Sequence, residues 1–449
     1  MADLPRKAAA RTARLAALPL SYAGRSAVGF GKRIGGAPAE AVLGEIQQRT
    51  AEQLFRTLGE LKGGAMKFGQ ALSVLEAALP DEVAAPYRDQ LTKLQDSAPP
   101  MPTQTVRDII ARELAPDAER LVWLDGGPTA SASIGQVHRG RWRETPDAPD
   151  QEVAVKVQYP GAGDALRADL RQLARLSRTI GPLVPGLDVK PLVEEMQARA
   201  VEELDYRLEA ESQRAFHLAF ADDPWIEVPD AVAVGDTVLV TQWLESTASL
   251  AQVIREGSQA ERDHYGELLV RFLLAGPART GMLHADPHPG NFRLLPGPDG
   301  SPGRLGILDF GAVARLPDGG LPTGLGAMLR VCSDGDPDRV VEQLRTEGFL
   351  RDKIRLDGAQ LIDYLSPLFE PTRVERFRFT RDWMREQFER INNPKAPSYT
   401  VAIKLNLPPE YLLIHRTWVG GIGVLCQLGA EVPFRELLEE FVPGFAPSA

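Results

Sequence analysis

The chain of 449 residues is too long for one ordinary domain, and a composition of 43% hydrophobic and 25% charged residues excludes a wholly disordered or collagen-like polymer. Two cysteines, Cys332 and Cys426, are too few for a disulfide framework, and no apolar run reaches the roughly 18 residues that span a bilayer. The formal net charge of −10 divides into +6 on the first 35 residues and −16 on the remainder, and so acidic a body excludes a nucleic-acid partner.

Residues 1–38 read as a basic, flexible head. Arg6, Lys7, Arg11, Arg14, Arg25, Lys32 and Arg33 stand there against Asp3, and Leu15, Leu18, Leu20 and Tyr22 add apolar surface. Such a head suits contact with an anionic membrane surface, so the expected location is cytoplasmic and peripheral to the inner face of the membrane. Its apolar stretch is short and interrupted by Pro19, unlike a secretory signal.

Residues 39–118 read as a helical extension. Leu54, Leu58, Leu61, Met66, Leu72 and Leu75 recur at three and four, Pro80-Asp81 marks a break, and a proline-rich linker covers Asp96 to Pro102. A short helix is expected over about Thr103 to Leu114. From 119 to 245 the pattern turns to strands: Leu121 to Leu124, Gln136 to Arg139 and Val153 to Val157, with a hairpin connection over Glu144 to Asp150. Helical patterning over Ala162 to Ile180 and Lys190 to Phe220 is embedded among them, before two more β-rich runs, Trp225 to Val234 and Thr237 to Trp243. Residues 246–449 are mostly helical, apart from a hairpin over Asn291 to Phe310 that turns at Pro296 to Gly303. A small five-stranded lobe with an embedded helix, then a larger helical lobe, predicts an α+β, two-lobed protein-kinase-like fold.

The chemistry of phosphoryl transfer from ATP needs a cation on the phosphates, oxygen ligands for magnesium and a group that positions the acceptor. Lys156 in Val153-Ala154-Val155-Lys156 matches the strand lysine that reaches the α- and β-phosphates. Asp286 and Asn291, five residues apart in a loop that starts at His284, match a catalytic loop. Asp309 opens Asp309-Phe310-Gly311 where a magnesium-binding aspartate belongs. Each has a plainer reading. Asp-Phe-Gly also occurs as a chance turn, and a lysine in an apolar strand is usually an edge residue. His284 and His288 could pair on zinc, but Pro287 and Pro289 make the segment a loop and no third soft ligand is near in sequence. Four matches in order favour a nucleotide site. Ala130, Ser131, Ala132, Ser133, Gly135 and Gln136 form the turn that would cover the phosphates, with alanines where an ordinary kinase has its first two glycines. Gln242 and Leu244 complete the candidate nucleotide-binding residues. Nothing after Asp309 resembles a peptide-docking activation segment.

Those alanines, read with Lys67-Phe68-Gly69-Gln70, Ser133 to His138, Glu203 to Ala210 and His284 to Phe292, carry a family resemblance. The chain resembles the UbiB/AarF-type atypical kinases, the "activity of bc-one complex" family, from about residue 50 to about residue 315. The resemblance implies that Lys156 pairs with Glu209, that Asp286 takes the catalytic-base position, and that Asn291 and Asp309 hold the metal. It also implies that Glu203 and Asp205 face Lys67, Gly69 and Gln70 of an extension folded over the active site as a gate. From the residues alone, Asp205 and Glu209 at i, i+4 would share one helical face. The implied cofactors are ATP and Mg2+ or Mn2+, and the implied acceptor is small or lipid-like, such as an isoprenoid quinone precursor. Two alternatives stay open: a small-molecule phosphotransferase of the aminoglycoside or choline kinase type, and a nucleotide-dependent lipid-binding scaffold.

Overall fold

The computed structural model describes residues 100–446, except 132–133, 165–201, 203, 298–301, 352, 393–400, 402–403 and 407. The basic head, the extension with Lys67, Gly69 and Gln70, and most of the expected helices over 162–205 lie outside the described residues, as do Ala132, Ser133 and Glu203. The chain divides into two compact units, one holding residues 81–206 with 234–240, the other 207–233 with 241–449.

In the first unit, α1 (Thr103–Glu113) buries Val106, Ile109 and Ile110, the single stripe that a three-and-four spacing creates. The Glu113 carboxylate accepts the backbone N–H groups of Asp236 and Thr237 at 3.0 and 3.3 Å, which ties α1 to the turn at Asp236-Thr237. The strands are β1 (Leu121–Leu124), β2 (Ala130–Ser131), β3 (Gly135–Trp142) and β4 (Gln151–Gln158). After β5 (Ile226–Glu227) and β6 (Ala231–Val234), which come later in the chain, β7 (Val238–Gln242) pairs beside β4, giving the order β1-β3-β4-β7 with β2 on β3. Val153, Val155 and Val157 of β4 are fully buried, and alternation turns Lys156 to the opposite face. Gly135 is required by packing: a Cβ there would overlap the Val157 carbonyl.

The second unit is built on α4 (Gln259–Thr280), which follows the short α3 (Leu250–Glu256). Ser258 and Glu261 form a capping box at its start, the Ser258 hydroxyl and N–H holding the Glu261 carboxyl below its usual range. Gly281 ends it in the left-handed region, φ 68°. Tyr265, Leu269, Phe272 and Leu273 are among many buried residues on α4, so core surrounds it. The unit also holds α2 (Tyr206–Ala219) and the C-terminal helices α5 (Thr323–Asp334), α6 (Pro337–Thr346), α7 (Gly358–Phe369), α8 (Arg381–Asn392), α9 (Pro409–Leu428) and α10 (Phe434–Phe441), of which α9 and α10 pack on α4. Besides β5, the strands of this unit include β8 (Ala248–Ser249), β9 (Met282–His284), β10 (Phe292–Pro296), β11 (Pro302–Ile307) and β12 (Val313–Arg315). They form a sheet in the order β5-β11-β10-β8 and a separate β9–β12 pair. Cys332 and Cys426 are buried, and desolvation pushes both thiols up to about 12, so neither is a nucleophile.

One element starts later than its pattern suggests. Helical spacing carries through Asp205, yet α2 begins at Tyr206 and Asp205 is exposed ahead of it. The Leu204 carbonyl accepts instead from Gln158 Nε2 at 2.9 Å, and Asp205 N–H bonds Glu202 O in a turn. Asp205 and Glu209 therefore do not share a helical face.

The Gly135 contact yields a paired test. Gly135→Ala should lower unfolding free energy by about 2–3 kcal/mol, because backbone must move to admit the methyl. Gly126→Ala, where a Cβ meets nothing within 4 Å, should change it by less than about 0.5 kcal/mol. Chemical denaturation of both variants checks the contrast.

Candidate nucleotide and metal site

In the second unit, two short antiparallel pairings bring two loops side by side. His284 of β9 pairs with Val313 of β12, and Phe292 of β10 pairs with Ile307 of β11. Two further backbone bonds tighten this ring: Ala285 N–H to Ala312 O at 2.8 Å and Leu308 N–H to Asn291 O at 2.7 Å. Residues 285–291, with Asp286 and Asn291, are thus held against residues 308–312, with Asp309. The sequence motifs lie far apart in the chain, and the ladders make them neighbours.

Asp309 has φ +63°, the left-handed region, and is the one non-glycine residue with positive φ among those described. That conformation costs a non-glycine residue about 1–2 kcal/mol. Two bonds offset it: Asp309 Oδ1 accepts from Gly311 N–H at 3.1 Å, and the Asp309 carbonyl lies 2.9 Å from His284 Nε2. The carbonyl can only accept, so His284 carries a proton on Nε2. The His284 ring is 2% exposed and contacts Phe272, Phe292 and Phe310 at centroid distances of 5.4, 6.1 and 5.4 Å. Phe310 packs in turn on Phe216 of α2 at 5.1 Å. Glu209 lies two turns before Phe216 on α2 and is also buried, so the packing of Phe216 sets where Glu209 stands. Sequence reasoning weighed His284 only as half of a zinc pair. Its ring nitrogen meets backbone instead, as does that of His288, whose Nδ1 accepts from Gly290 N–H at 3.1 Å.

The donors suit a hard cation. Asn291 Nδ2 donates to the Asp286 carbonyl at 3.2 Å, which leaves the carboxamide oxygen as its acceptor atom. That oxygen and the Asp309 carboxylate are the oxygen ligands that Mg2+ or Mn2+ prefers.

The first unit holds the other candidates. Lys156 Nζ lies 5.1 Å from the ring centroid of the buried Tyr206, a cation–π contact at the root of α2. Ala130 and Ser131 form β2, in register with Val137 and Gln136 of β3. Gln136 is fully buried and its amide faces protein: Oε1 accepts from Met101 N–H at 2.8 Å, and Nε2 meets His138 Nε2 at 2.7 Å. His138 Nδ1 then donates to Asp125 O at 3.2 Å. This relay ties the linker at Met101 to β3, so the Gln136 side chain is engaged within the fold. Its partner lies 35 residues away, and no local pattern announces it. In the second unit Gln242 Oε1 accepts from Asp230 N–H at 3.0 Å, and Leu244 lies against Gly306.

The relay makes a pH prediction. His138 must be neutral at Nε2 to accept from Gln136, and burial lowers its pKa below 6.5. The unfolded chain therefore binds the extra proton more readily. The stabilisation is complete above pH 6.5 and is lost as pH falls from there through the folded value. Stability measured from about pH 7.5 to about pH 5 should fall less steeply in His138→Gln than in the parent. Equal slopes would contradict the relay.

Comparison with known proteins gives the family. The ABC1 atypical kinase-like domain matches residues 93–344. The chain is 30% identical over 309 residues to the mitochondrial atypical kinase COQ8B of Rattus norvegicus, covering 68% of this chain and 56% of the rat protein. It is 32% identical over 295 residues to the chloroplastic activity of bc1 complex kinase 3 of Arabidopsis thaliana, covering 65% of this chain and 40% of that protein. It thus spans less than two thirds of either relative. The solved Rv3197–erythromycin complex from Mycobacterium tuberculosis is 42% identical with a TM-score of 0.67, covering 92% of this chain and 100% of that one. Among the described residues, no helix is long and apolar enough to cross a membrane. With a mixed kinase-like fold and a domain match over more than half its length, the chain belongs to the ABC1 atypical kinase-like family.

Proposed function

We propose that the chain is an ATP-binding enzyme that hydrolyses ATP or transfers its γ-phosphoryl group to a small or lipid-like acceptor, in support of quinone or isoprenoid lipid metabolism. The observation that carries this reading is the ring of backbone pairings that sets Asp286, Asn291 and Asp309 on two adjoining loops. In this reading Asn291 and Asp309 hold Mg2+ or Mn2+, which when bound neutralises charge on the phosphates. Asp286 positions the acceptor hydroxyl or water and takes its proton. Lys156 reaches the α- and β-phosphates and, as the family resemblance implies, pairs with Glu209. Ala130, Ser131, Ala132, Ser133 and Gly135 cover the phosphates through the loop backbone. Lys67, Gly69, Gln70, Glu203 and Asp205 gate the site, and the basic head makes peripheral membrane contact.

A second reading is a nucleotide-dependent binder of an apolar or amphipathic small molecule. The erythromycin complex of the mycobacterial relative favours it. So does a small apolar cleft in the second unit, lined by Leu269, Leu273, Trp418, Gly421, Ile422 and Phe434 among others. Slow ATP turnover that drives a conformational cycle fits both readings.

Asp309→Asn removes one anionic ligand while keeping size and the acceptor for Gly311 N–H. Magnesium-dependent ATP turnover should fall by at least about tenfold, with melting temperature little changed. Turnover equal to the parent's would remove Asp309 from the metal site.

A further inference from the structure

Four consecutive carbonyls of the second unit, from Val228 to Ala231, are all taken by neighbours far away in sequence. His217 Nδ1 donates to Val228 O at 2.7 Å, Gln213 Nε2 to Pro229 O at 2.7 Å and Arg214 Nε to Ala231 O at 2.9 Å. Asp230 O accepts the Gln242 N–H at 2.9 Å, and Gln242 Oε1 accepts the Asp230 N–H at 3.0 Å in return. Three side chains of α2 and one residue at the end of β7 thus hold the short segment that enters β6. The segment is itself anchored at Gln242, so it resists a turn of α2 and does not follow it.

Packing already keeps α2 in the core. Phe216 meets Phe220, Phe272 and Phe310 at centroid distances of 6.2, 5.8 and 5.1 Å. Apolar burial is not directional, whereas a hydrogen bond weakens steeply when its angle or length changes. The three donors therefore fix what packing leaves loose, the rotation and height of the helix. Gln213 is the most constrained of them, because it is 3% exposed and a buried amide is unfavourable without its bond. Glu209, Gln213 and His217 stand at i, i+4 and i+8, on one stripe of α2. Glu209 is one turn from Gln213, about 6 Å along the axis, and is also 3% exposed.

We propose that Gln213, flanked by Arg214 and His217, is the positioning residue for Glu209: its bond to the Pro229 carbonyl sets the rotation of α2 and with it the carboxylate. The proposal rests on the ATP reading, which gives Glu209 to Lys156, and deepens it.

Q213M keeps the length of the side chain and removes the donor, and R214M does the same at a less buried position. In the ligand-free full chain, amide hydrogen exchange over residues 209–216 should quicken at least about threefold in Q213M. Magnesium-dependent ATP turnover should lose about five- to tenfold in kcat with KM little changed. The decisive comparison is the double variant: E209Q/Q213M should turn over like E209Q alone, within about twofold, because Gln213 acts through Glu209. Losses that multiply in the double variant, or unchanged exchange over 209–216, would leave Gln213 to the scaffold alone. Should Q213M not fold, R214M and E209Q/R214M decide by the same criteria. A parent chain without magnesium-dependent ATP turnover would instead remove the ATP reading, and this proposal with it.

Discussion

The hydrogen bond from His284 Nε2 to the Asp309 carbonyl is the constraint on which the candidate site depends. Asp309 occupies a backbone region that an unsupported aspartate leaves, and this bond, with the Gly311 N–H on its carboxylate, holds it there. A net hydrogen bond contributes about 0.5–1.5 kcal/mol, similar to the conformational cost, so the balance turns on what keeps His284 in place. Three phenylalanine rings do so, and Phe310 belongs to the same tripeptide as Asp309. Packing of Phe310 and orientation of Asp309 are one event. Through Phe216 the same aromatic cluster reaches α2 and thereby Glu209.

The first unit uses buried polarity in a comparable way. Gln136 and His138 are both fully buried, yet each polar atom of the relay has a partner, from Met101 N–H to the Asp125 carbonyl. A half-satisfied network would be costly, so the relay selects one position for the linker. Residues of a ligand-binding motif can also carry the scaffold, as Gly135 shows through its approach to Val157.

Much of the fold was legible in local pattern. Alternation in Val153 to Val157 placed Lys156 off the core face, and the order of Lys156, Asp286, Asn291 and Asp309 pointed to the kinase-like fold before any coordinates. The hairpin before Asp309 follows from its turn residues. Features set by distant partners were not legible. The start of α2 depends on Gln158, 46 residues from Leu204, and the role of Gln136 depends on Met101.

His284→Leu isolates the central constraint, since leucine fills much of the ring's volume but cannot donate to the Asp309 carbonyl. The measurement is the rise in melting temperature caused by ADP, with and without magnesium, in the parent and in this variant. If the His284 bond orders Asp309 for the metal, the variant folds and loses most of the magnesium-dependent part of the rise. A magnesium-dependent rise equal to the parent's would show that Asp309 needs no such support, or that it does not hold the metal.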